Sequence, residues 1–515
     1  MNKKYDIRSM VSVCILGAII ATFLASPLRL AAGQAASDSW DTWPPRNYLM
    51  RSLIQSVGET IKTFHPETGR FGTDPWISTD QNVLLPLAAA WSIKDPGNPY
   101  YHDAKLLTII GKGGEALVDD QDADGMWLFR KKDNSTWGQI HMPWSYSRWI
   151  RAYALVKDAL PAAVRAKWEK GLKLGFTGIC RDLLKAKIQN IPCHHAMALY
   201  LAGDLFKKEE WKTAAHDYQQ KIVKAQYPEG YWTENFGPVV SYNMVYLDAL
   251  GAYYHFSKDS AVLEALARSV RFHTAVLWSD GTSAACLDER VIYHKTINTG
   301  NVGFTFSPEG RRFILSQLER ESQGGTKPAG GDYAALLLLY AGSGPVAPRP
   351  TALAGVTVIG KNDAVVVRNA PWEWAFSAYA TKPIQSRWIQ DRQNSFDLFF
   401  AGLGMVAGGG NTKLQPYWST FTVGDPTILK HREGDEDPNF IPAVDLLWTA
   451  DHAEIAASGN PTRLNLRYGA IECSVSVEVP AVGLGLKEAL TPEGRPVTLR
   501  VTRPLNPPLG TTPTV

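Results

Sequence analysis

The stretch AGSGPVAPRPTALAG, residues 341–355, separates two parts of the chain that have different hydrophobic periodicities. Clusters of Gly, Pro and Ala interrupt regular secondary structure and are typical of linkers. Upstream, apolar residues recur three and four positions apart, whereas downstream they alternate within short segments. The sequence therefore predicts a helical domain over residues 36–342, a linker over 343–355 and a β domain over 356–515.

The helical pattern is clear in segments such as YLMRSLIQSVGETIKTF (residues 48–64) and AKWEKGLKLGFTGICRDLLK (residues 166–185). We expect about eleven or twelve such helices, separated by turns rich in Gly, Pro and Asp. A run of helical hairpins can close into a toroid of inner and outer helices. An open solenoid is the alternative, but the connecting loops are longer and more aromatic than those of a regular repeat.

The second half contains short β-branched and aromatic segments, such as VTVIGKNDAVVVRN (residues 356–369) and RLNLRYGAIECSVSVEV (residues 463–479). Their alternation and the Gly, Pro and Asp residues between them indicate antiparallel strands. Strands at this spacing favour two packed sheets. The predicted fold class is multidomain α + β, with an N-terminal (α/α) toroid of helical hairpins followed by a C-terminal antiparallel β-sandwich.

The first 35 residues are typical of a secretory signal peptide. Lys3, Lys4 and Arg8 precede an apolar run over residues 10–25. A membrane anchor is the alternative, but the run is shorter than the roughly 20 residues that span a bilayer. We therefore expect a secreted or periplasmic protein that has no membrane contact after cleavage.

Charge and motifs exclude several functional classes. The chain has 53 basic and 50 acidic residues, a net charge of +3, and residues 1–35 account for that excess. A nucleic-acid partner held by bulk positive charge is therefore disfavoured. The sequence has no P-loop, dinucleotide fingerprint or G-x-S-x-G motif, which argues against nucleotide-driven chemistry and serine acyl transfer. No cofactor is expected.

Metal and disulfide signals are weak. Residues 120–125, DQDADG, resemble the start of a calcium loop, but Lys131 occupies the position of its last acidic ligand, so a turn is predicted. The histidines lack the spacing of a metal motif, and no metal site is predicted. A bridge between Cys180 and Cys193 would be compatible with export.

Candidate catalytic residues concentrate in two segments. In residues 190–205, NIPCHHAMALYLAGDL, a helix is predicted to begin near Cys193, with Asn190 just before it and His194 and His195 in its first turn. The positive end of the helix dipole disfavours a charged imidazole, and adjacent residues point about 100° apart, so at most one histidine faces a site.

The second segment, residues 226–259, has a loop of polar and aromatic residues followed by a helix that Tyr242 opens. Loops held by a rigid scaffold commonly carry active sites. A third segment, residues 127–149, offers aromatic faces for sugar rings together with local positive charge. The predicted substrate-binding residues from these regions and from a turn-rich stretch of the β half are Trp137, His141, Trp144, Arg148, Tyr231 and Arg387.

This order of an Asn and a His at a helix start, then an acidic aromatic loop and a Tyr, resembles polysaccharide lyases of the α/α-toroid plus β-sandwich type. These include heparinase II/III-like enzymes and toroidal alginate and glucuronan lyases. The resemblance covers most of the chain after residue 35 and includes GLGMVAGGGNTKLQPYWSTFTVGD (residues 402–425). It implies β-elimination on a uronate-containing anionic polysaccharide such as alginate, glucuronan or a glycosaminoglycan-like polymer.

The resemblance also implies roles for individual residues. Tyr242 would be the acid and also a candidate base, and His194 or His195 would be the base or would activate Tyr242. Asn190 would lie against the substrate carboxylate, and Glu234 would orient a histidine. Two other classes stay open: a glycoside hydrolase that pairs Glu229 or Glu234 with an Asp of residues 120–124, and a non-catalytic glycan-binding protein.

Overall fold

The computed structural model describes most of the chain from Trp40 onward. The described residues are 40–130, 136–233, 238–288, 297–324, 329–350, 355–379, 395–408, 422–423, 452–458, 461–468, 471–478, 498–502 and 513–514. The predicted signal peptide, Glu234 and Arg387 lie outside these residues, and nothing is described of the Trp137 side chain. Those predictions stay predictions.

The first part of the described chain is helical. Its helices are α1 (Arg46–Ile61), α2 (Ile77–Asp80), α3 (Leu84–Ser92), α4 (Ala104–Asp120), α5 (Pro143–Val156), α6 (Ala162–Leu183), α7 (Asn190–Phe206), α8 (Glu209–Lys224), α9 (Val240–Ser257), α10 (Leu263–Ala275), α11 (Pro308–Gln323) and α12 (Gly331–Tyr340). Short 3₁₀ turns include Ala285–Leu287 and Val302–Phe306. The predicted helical half is therefore confirmed as helical, with one unpredicted hairpin of β1 (Trp127–Arg130) and β2 (Thr136–Ile140).

The helices form a closed ring. An inner ring is made by α3, α5, α7, α9, the 3₁₀ turn at residues 302–306 and α12, each packed against the next, and α12 packs back against α3. Each inner element also packs against an outer helix: α4, α6, α8, α10 and α11 in chain order, with α1 behind α12. The return of α12 to α3 excludes the open solenoid.

Large aromatic side chains fill the space between the two helical layers. Trp149 of α5 and Trp168 of α6 are both fully buried, and their rings meet edge to face at 6.0 Å between centroids. The Trp168 Nε1–H donates to the Gly111 carbonyl of α4 at 3.0 Å, which satisfies the one polar group of the ring. These contacts tie α4, α5 and α6 together.

The second part of the chain forms two antiparallel sheets. The larger sheet has five strands in chain order: β3 (Gly355–Ile359), β4 (Ala364–Asn369), β5 (Trp372–Ser377), β6 (Phe396–Phe400) and β7 (Gly404–Ala407). The second has four strands in the order β12 (Thr498–Thr502), β11 (Ile471–Glu478), β10 (Thr462–Tyr468) and β9 (His452–Ser458). The short strands β8 (Thr422–Val423) and β13 (Pro513–Thr514) pair with each other.

The central strands of the five-stranded sheet, β4 to β6, are buried on both faces, whereas β3 is largely exposed. On β4, Val365 and Val367 join a cluster with residues of the four-stranded sheet, whereas Ala364 and Val366 join a cluster with the helical part. This alternation follows the two-residue period of a strand, so the apolar run of β4 serves two cores. The Trp374 indole also donates to Thr462 Oγ1 at 3.1 Å across the two sheets.

Buried charged residues of the five-stranded sheet bind the backbone of the helical part. Arg368 donates to the carbonyls of Ala275 and Leu277 at 2.6 and 2.7 Å. Glu373 accepts from the Ser279 amide at 3.1 Å, and the carboxylate of Asp397 accepts from the Cys286 amide at 2.7 Å. Because these charges are paired with backbone groups, they fix residues 274–288 against the sheet.

The cysteine prediction is wrong. Cys180 and Cys193 are free thiols, and the buried Cys193 Sγ donates to Gln219 Oε1 at 3.4 Å. Burial raises the pKa of the Cys193 thiol far above its ordinary value, so it behaves as a packed core group. Among the described residues, no helix is both long enough and apolar enough to cross a membrane.

Candidate functional site

The first turns of the inner helices meet at one end of the ring. Trp144 of α5 packs edge to face on His194 of α7, with ring centroids 4.5 Å apart. His194 Nε2 lies 3.1 Å from the carbonyl oxygen of Val245 on α9. Both contacts join the beginnings of their helices, so α5, α7 and α9 run in the same direction and open on the same side.

Helix α7 begins three residues earlier than predicted. Asn190 is its first residue, not a residue outside it, and no side chain of the preceding Gln189 caps the helix. Pro192 fits within this first turn because its missing N–H would have no helical partner there. Because α7 starts earlier, Asn190 is the first residue of the helix and His194 lies beyond its first turn.

His194 is a buried, neutral imidazole. It is 3% exposed, and burial, reinforced by the charges of Arg151 and Arg148, holds the pKa of His194 well below its ordinary value. Because a carbonyl oxygen can only accept, Nε2 carries the proton and donates to Val245. Nδ1 has no hydrogen-bond partner among the described residues. The neutral state was predicted, but burial causes it, not the helix dipole.

His195 points away from the interior of the ring. Its Nε2–H donates to the His141 carbonyl at 2.7 Å, and burial lowers the pKa of His195 to about 4. The ring of His141 in turn lies 3.1 Å from Asp182 Oδ2 and 3.1 Å from the Asp124 carbonyl, so both of its nitrogens are occupied. These contacts favour packing roles for His141 and His195 and leave His194 as the histidine that faces inward.

Arg148 crosses the interior to reach α12. Its Nε and Nη2 donate to the two carboxylate oxygens of Asp332 at 2.9 and 2.7 Å, and Nη1 donates to the Trp144 carbonyl at 3.3 Å. Desolvation opposes the charge, but the Asp332 carboxylate outweighs it and raises the pKa of Arg148. The expected local positive charge of Arg148 is therefore neutralised within the fold.

A second pair of charged residues lies deeper along the same helices. Arg151, one turn beyond Arg148, is 1% exposed and lies over the ring of Tyr340 on α12, 5.9 Å from its centroid. Asp248 Oδ2 on α9 lies 3.9 Å from His194 Nε2. Burial raises the pKa of Asp248, whereas the neighbouring Arg151 opposes that shift.

Asn190 and Tyr242 lie at the same level above His194. Counting back from the contact of His194 with Val245, Asn190 is four residues earlier on α7 and Tyr242 three residues earlier on α9. Each step is about one turn, or roughly 5 Å, toward the open end. Asn190 is 7% exposed and Tyr242 is half-buried. Asn190 and Tyr242 thus each lie about one turn from the His194–Val245 contact, on adjacent helices.

Two buried side chains hold the loop that precedes α9. Asn243 accepts from the Trp232 amide at 3.1 Å and donates to His273 Nε2 at 3.0 Å. Tyr231, predicted to bind substrate, is 2% exposed, and its hydroxyl lies 3.2 Å from that of Tyr379 on the β part. This burial favours packing between the two parts of the chain as the role of Tyr231.

Asp122 and Asp124, two acids of the hydrolase alternative, lie in a turn, and Glu234 of that alternative lies outside the described residues. Asp122 Oδ1 accepts from the amides of Asp124 and Met126 at 3.0 and 2.8 Å, which confirms the predicted turn over DQDADG. Among the described residues there is no group of three or more His, Cys, Asp or Glu side chains that could hold a metal ion.

Sequence reasoning missed Arg151, Asp248, Asp288 and Asp332. The spacing of Trp144, Arg148 and Arg151 does place all three on one helix face, which was a usable signal. The three aspartates carried none, because nothing in the residues around them indicates the remote groups that they bind.

Comparisons with known proteins support the fold. No protein-family model matches the sequence, and no curated protein matches it. The structure resembles the chondroitin AC lyase of Streptomyces coelicolor A3 with a TM-score of 0.51 and 14% identity, over 85% of this chain and 65% of that chain. This chain therefore has the α/α-toroid fold of a polysaccharide lyase and spans about two thirds of that lyase's length.

Two further solved structures are more distant. Heparinase III gives a TM-score of 0.44 at 12% identity, over 76% of this chain and 59% of that chain. An unsaturated glucuronyl hydrolase from Streptococcus agalactiae gives 0.38 at 10% identity, over 56% of this chain and 88% of that chain.

Proposed function

We propose that this chain is a lyase that cleaves an anionic, uronate-containing polysaccharide by β-elimination. The observation that supports the proposal is the contact of His194 on α7 with Val245 on α9, about one turn from Asn190 and Tyr242 on the same two helices. The fold it shares with a chondroitin AC lyase agrees with this reaction. A hydrolase would instead need two carboxylates across the glycosidic bond, and the polymer screen described below distinguishes the two reactions.

The first requirement of elimination is to stabilise charge on the uronate. The C5 proton becomes acidic only when hydrogen-bond donors support the adjacent carboxylate as negative charge develops on it. We assign to Asn190 the donation of its side-chain amide N–H to that carboxylate. Because Arg148 is held by Asp332, we propose that neutral donors, more than a free guanidinium, stabilise the carboxylate.

Tyr242 performs the proton transfers in this proposal. As phenolate it takes the C5 proton, the C5–H electron pair forms the C4=C5 double bond, and the C4–O bond breaks. The phenol then returns a proton to the departing glycosidic oxygen. A tyrosine pKa is ordinarily about 10, so the base form needs a nearby hydrogen-bond donor. We assign that donor to the neighbouring inner helices.

His194 has a positioning role here and is not the direct base. Its ring is 3% exposed, and its Nε2–H is used by the Val245 carbonyl. It therefore fixes α7 to α9 just below Asn190 and Tyr242. Trp144, half-buried against His194, is assigned to a sugar ring.

The finer assignments belong to the same proposal. The two sheets would be a β-sandwich that completes the enzyme, with Arg387 reaching the substrate from the β part and Trp137 from the β1–β2 hairpin. Residues 1–35 would direct export. The substrate class is alginate, glucuronan or a glycosaminoglycan, and the printed name of the similar lyase adds chondroitin to the polymers worth testing.

The test is a polymer screen with purified protein. Alginate, glucuronan, hyaluronan, chondroitin and heparin-type polymers are each incubated, and ultraviolet absorbance of unsaturated uronate is recorded beside new reducing ends. Absorbance that is lost in Tyr242→Phe supports the proposal and excludes a contaminating lyase. New reducing ends without absorbance would instead establish hydrolysis, and binding without either would establish a glycan-binding protein.

A further inference from the structure

Helix α9 lacks a cap of its own. The residue before it, Val239, has no side-chain oxygen that could accept from the first turn. Unpaired amides at a helix start cost stability, and Ser, Thr, Asp or Asn usually supplies the missing acceptor. Here the acceptor comes from a remote part of the chain: Asp288 Oδ2 accepts from the Ser241 amide at 3.0 Å. Ser241 immediately precedes Tyr242.

The β part determines where Asp288 lies. Asp288 follows the 3₁₀ turn Ala285–Leu287, which is buried between the helices and the five-stranded sheet. Within this turn the Cys286 amide donates to Asp397 Oδ2 of β6 at 2.7 Å, and Asp397 is fully buried. Two carboxylate contacts therefore connect the sheet to the first turn of α9.

We propose that Asp288 is a positioning residue for Tyr242, acting as a remote cap of α9, and that Asp397 of the sheet holds Asp288 in place. The inference rests on the proposed function of Tyr242. A carboxylate at a helix start pairs with the amides and is stabilised by the helix dipole. It thereby orders the turn from which the Tyr242 side chain projects.

This arrangement gives the β part a role in catalysis without contact with the substrate. Arg368 and Glu373 make their hydrogen bonds with backbone groups of residues 274–279, which precede the 3₁₀ turn. Asp397 accepts a hydrogen bond from the amide of Cys286, which lies two residues before Asp288. Of these three buried charges, Asp397 is therefore the one whose loss most directly displaces the cap.

The experiment compares Asp288→Ala, Asp288→Asn and Asp397→Ala with the matched control Asp103→Ala. Asp103 caps α4 by accepting from the Leu106 amide at 2.6 Å, but α4 is an outer helix that carries none of the proposed site residues. Two measurements are made on each full-length variant: hydrogen exchange of the amides of residues 240–246, and kcat and KM on the polymer found by the screen.

In Asp288→Ala we expect faster exchange at residues 240–246 and a fall in kcat of about 10²-fold, since small misplacements of a catalytic group cost that much. KM should stay near the wild-type value. Asp288→Asn keeps an acceptor and should retain most of kcat, Asp397→Ala removes the acceptor for the Cys286 amide and should accelerate the same amides, and Asp103→Ala should change neither measurement.

The outcomes separate this inference from the proposed function. If the wild type eliminates no uronate polymer, the proposed function fails, while exchange at residues 240–246 still decides whether Asp288 caps α9. Unchanged exchange in Asp288→Ala would overturn the cap. If elimination occurs and exchange accelerates but kcat is unchanged, the positioning role is overturned.

Discussion

The Nε2–H of buried His194 donates to the carbonyl oxygen of Val245 at 3.1 Å and so joins α7 to α9 one turn below Asn190 and Tyr242. A carbonyl at this position of a helix would ordinarily accept only from its own helix. The additional donor fixes the axial position of one inner helix against the next. Two residues that are remote in sequence are therefore held at the same height in the ring.

Replacement of Tyr242 by Phe should abolish elimination with little effect on substrate binding. The phenol oxygen carries both proton transfers in the proposed reaction, and such groups contribute about 10²–10⁴-fold. The measurement is kcat from absorbance of unsaturated uronate, with binding followed by titration calorimetry. Wild-type activity in this variant would remove Tyr242 from the mechanism.

Buried neutral histidines should make the protein less stable as the pH falls from about 6.5 toward 5. The pKa of His195 is lowered to about 4 and that of His273 to about 3, from an ordinary value of 6.5. In this window the unfolded chain binds protons that the folded chain does not, so unfolding becomes easier by about 1.4 kcal/mol per pH unit for each histidine.

Urea unfolding at several pH values measures this slope. In His273→Gln the slope should decrease by about one histidine's share, because His273 is buried and accepts from Asn243 in the neutral form. An equal slope in wild type and variant would contradict the assignment. His216→Gln is a control, since the His216 side chain is 48% exposed.

The ion pair of Arg148 with Asp332 should show a larger coupling than a surface pair. Its side chains are 21% and 30% exposed and meet through two hydrogen bonds, so we expect a coupling of about 1–2 kcal/mol after allowance for solvent screening. A double-mutant cycle with Arg148→Met and Asp332→Asn measures it. The matched control is Lys173 with Glu169, an i,i+4 pair that should give about 0.3–0.5 kcal/mol.

Two glycines three residues apart on α4 should respond to alanine in opposite ways. A Cβ on Gly114 would collide with the buried Trp168 ring, whereas a Cβ on Gly111 would meet Val164 at 3.4 Å, an ordinary contact. Gly114→Ala should therefore cost about 1–3 kcal/mol, and Gly111→Ala should add about 0.5–1 kcal/mol of stability. Thermal unfolding measures both, and similar shifts would show that the two layers do not meet through Trp168 as described.

The helical half and the strand half could be predicted because their periodicities differ on the two sides of residues 341–355. The hairpin over β1 and β2 was not predicted, because its strands of 4 and 5 residues are too short for a clear alternation. The start of α7 was misjudged because Pro192 suggested a boundary before Cys193, although proline is accepted in a first turn.

The candidate site was found only in part for a related reason. Asn190, His194 and Tyr242 are chemically distinctive and open their helices, so the sequence drew attention to them. Asp332 and Asp288 act only through partners 184 and 47 residues away along the chain. Such pairings depend on ring closure and sheet packing, which local pattern does not encode. The hydrogen bond of His195 to the His141 carbonyl could not be predicted from local pattern either.

The packing of α12 between α1 and α3 also imposes an order on biosynthesis. The first helix of the ring emerges early, yet its partner is the last helix of the ring. Until the ribosome has delivered that final segment, the apolar faces of α1 and α3 lack their neighbour, and contacts this far apart in sequence form slowly. A nascent chain of this architecture therefore has to be kept from aggregating until α12 packs against α1 and α3.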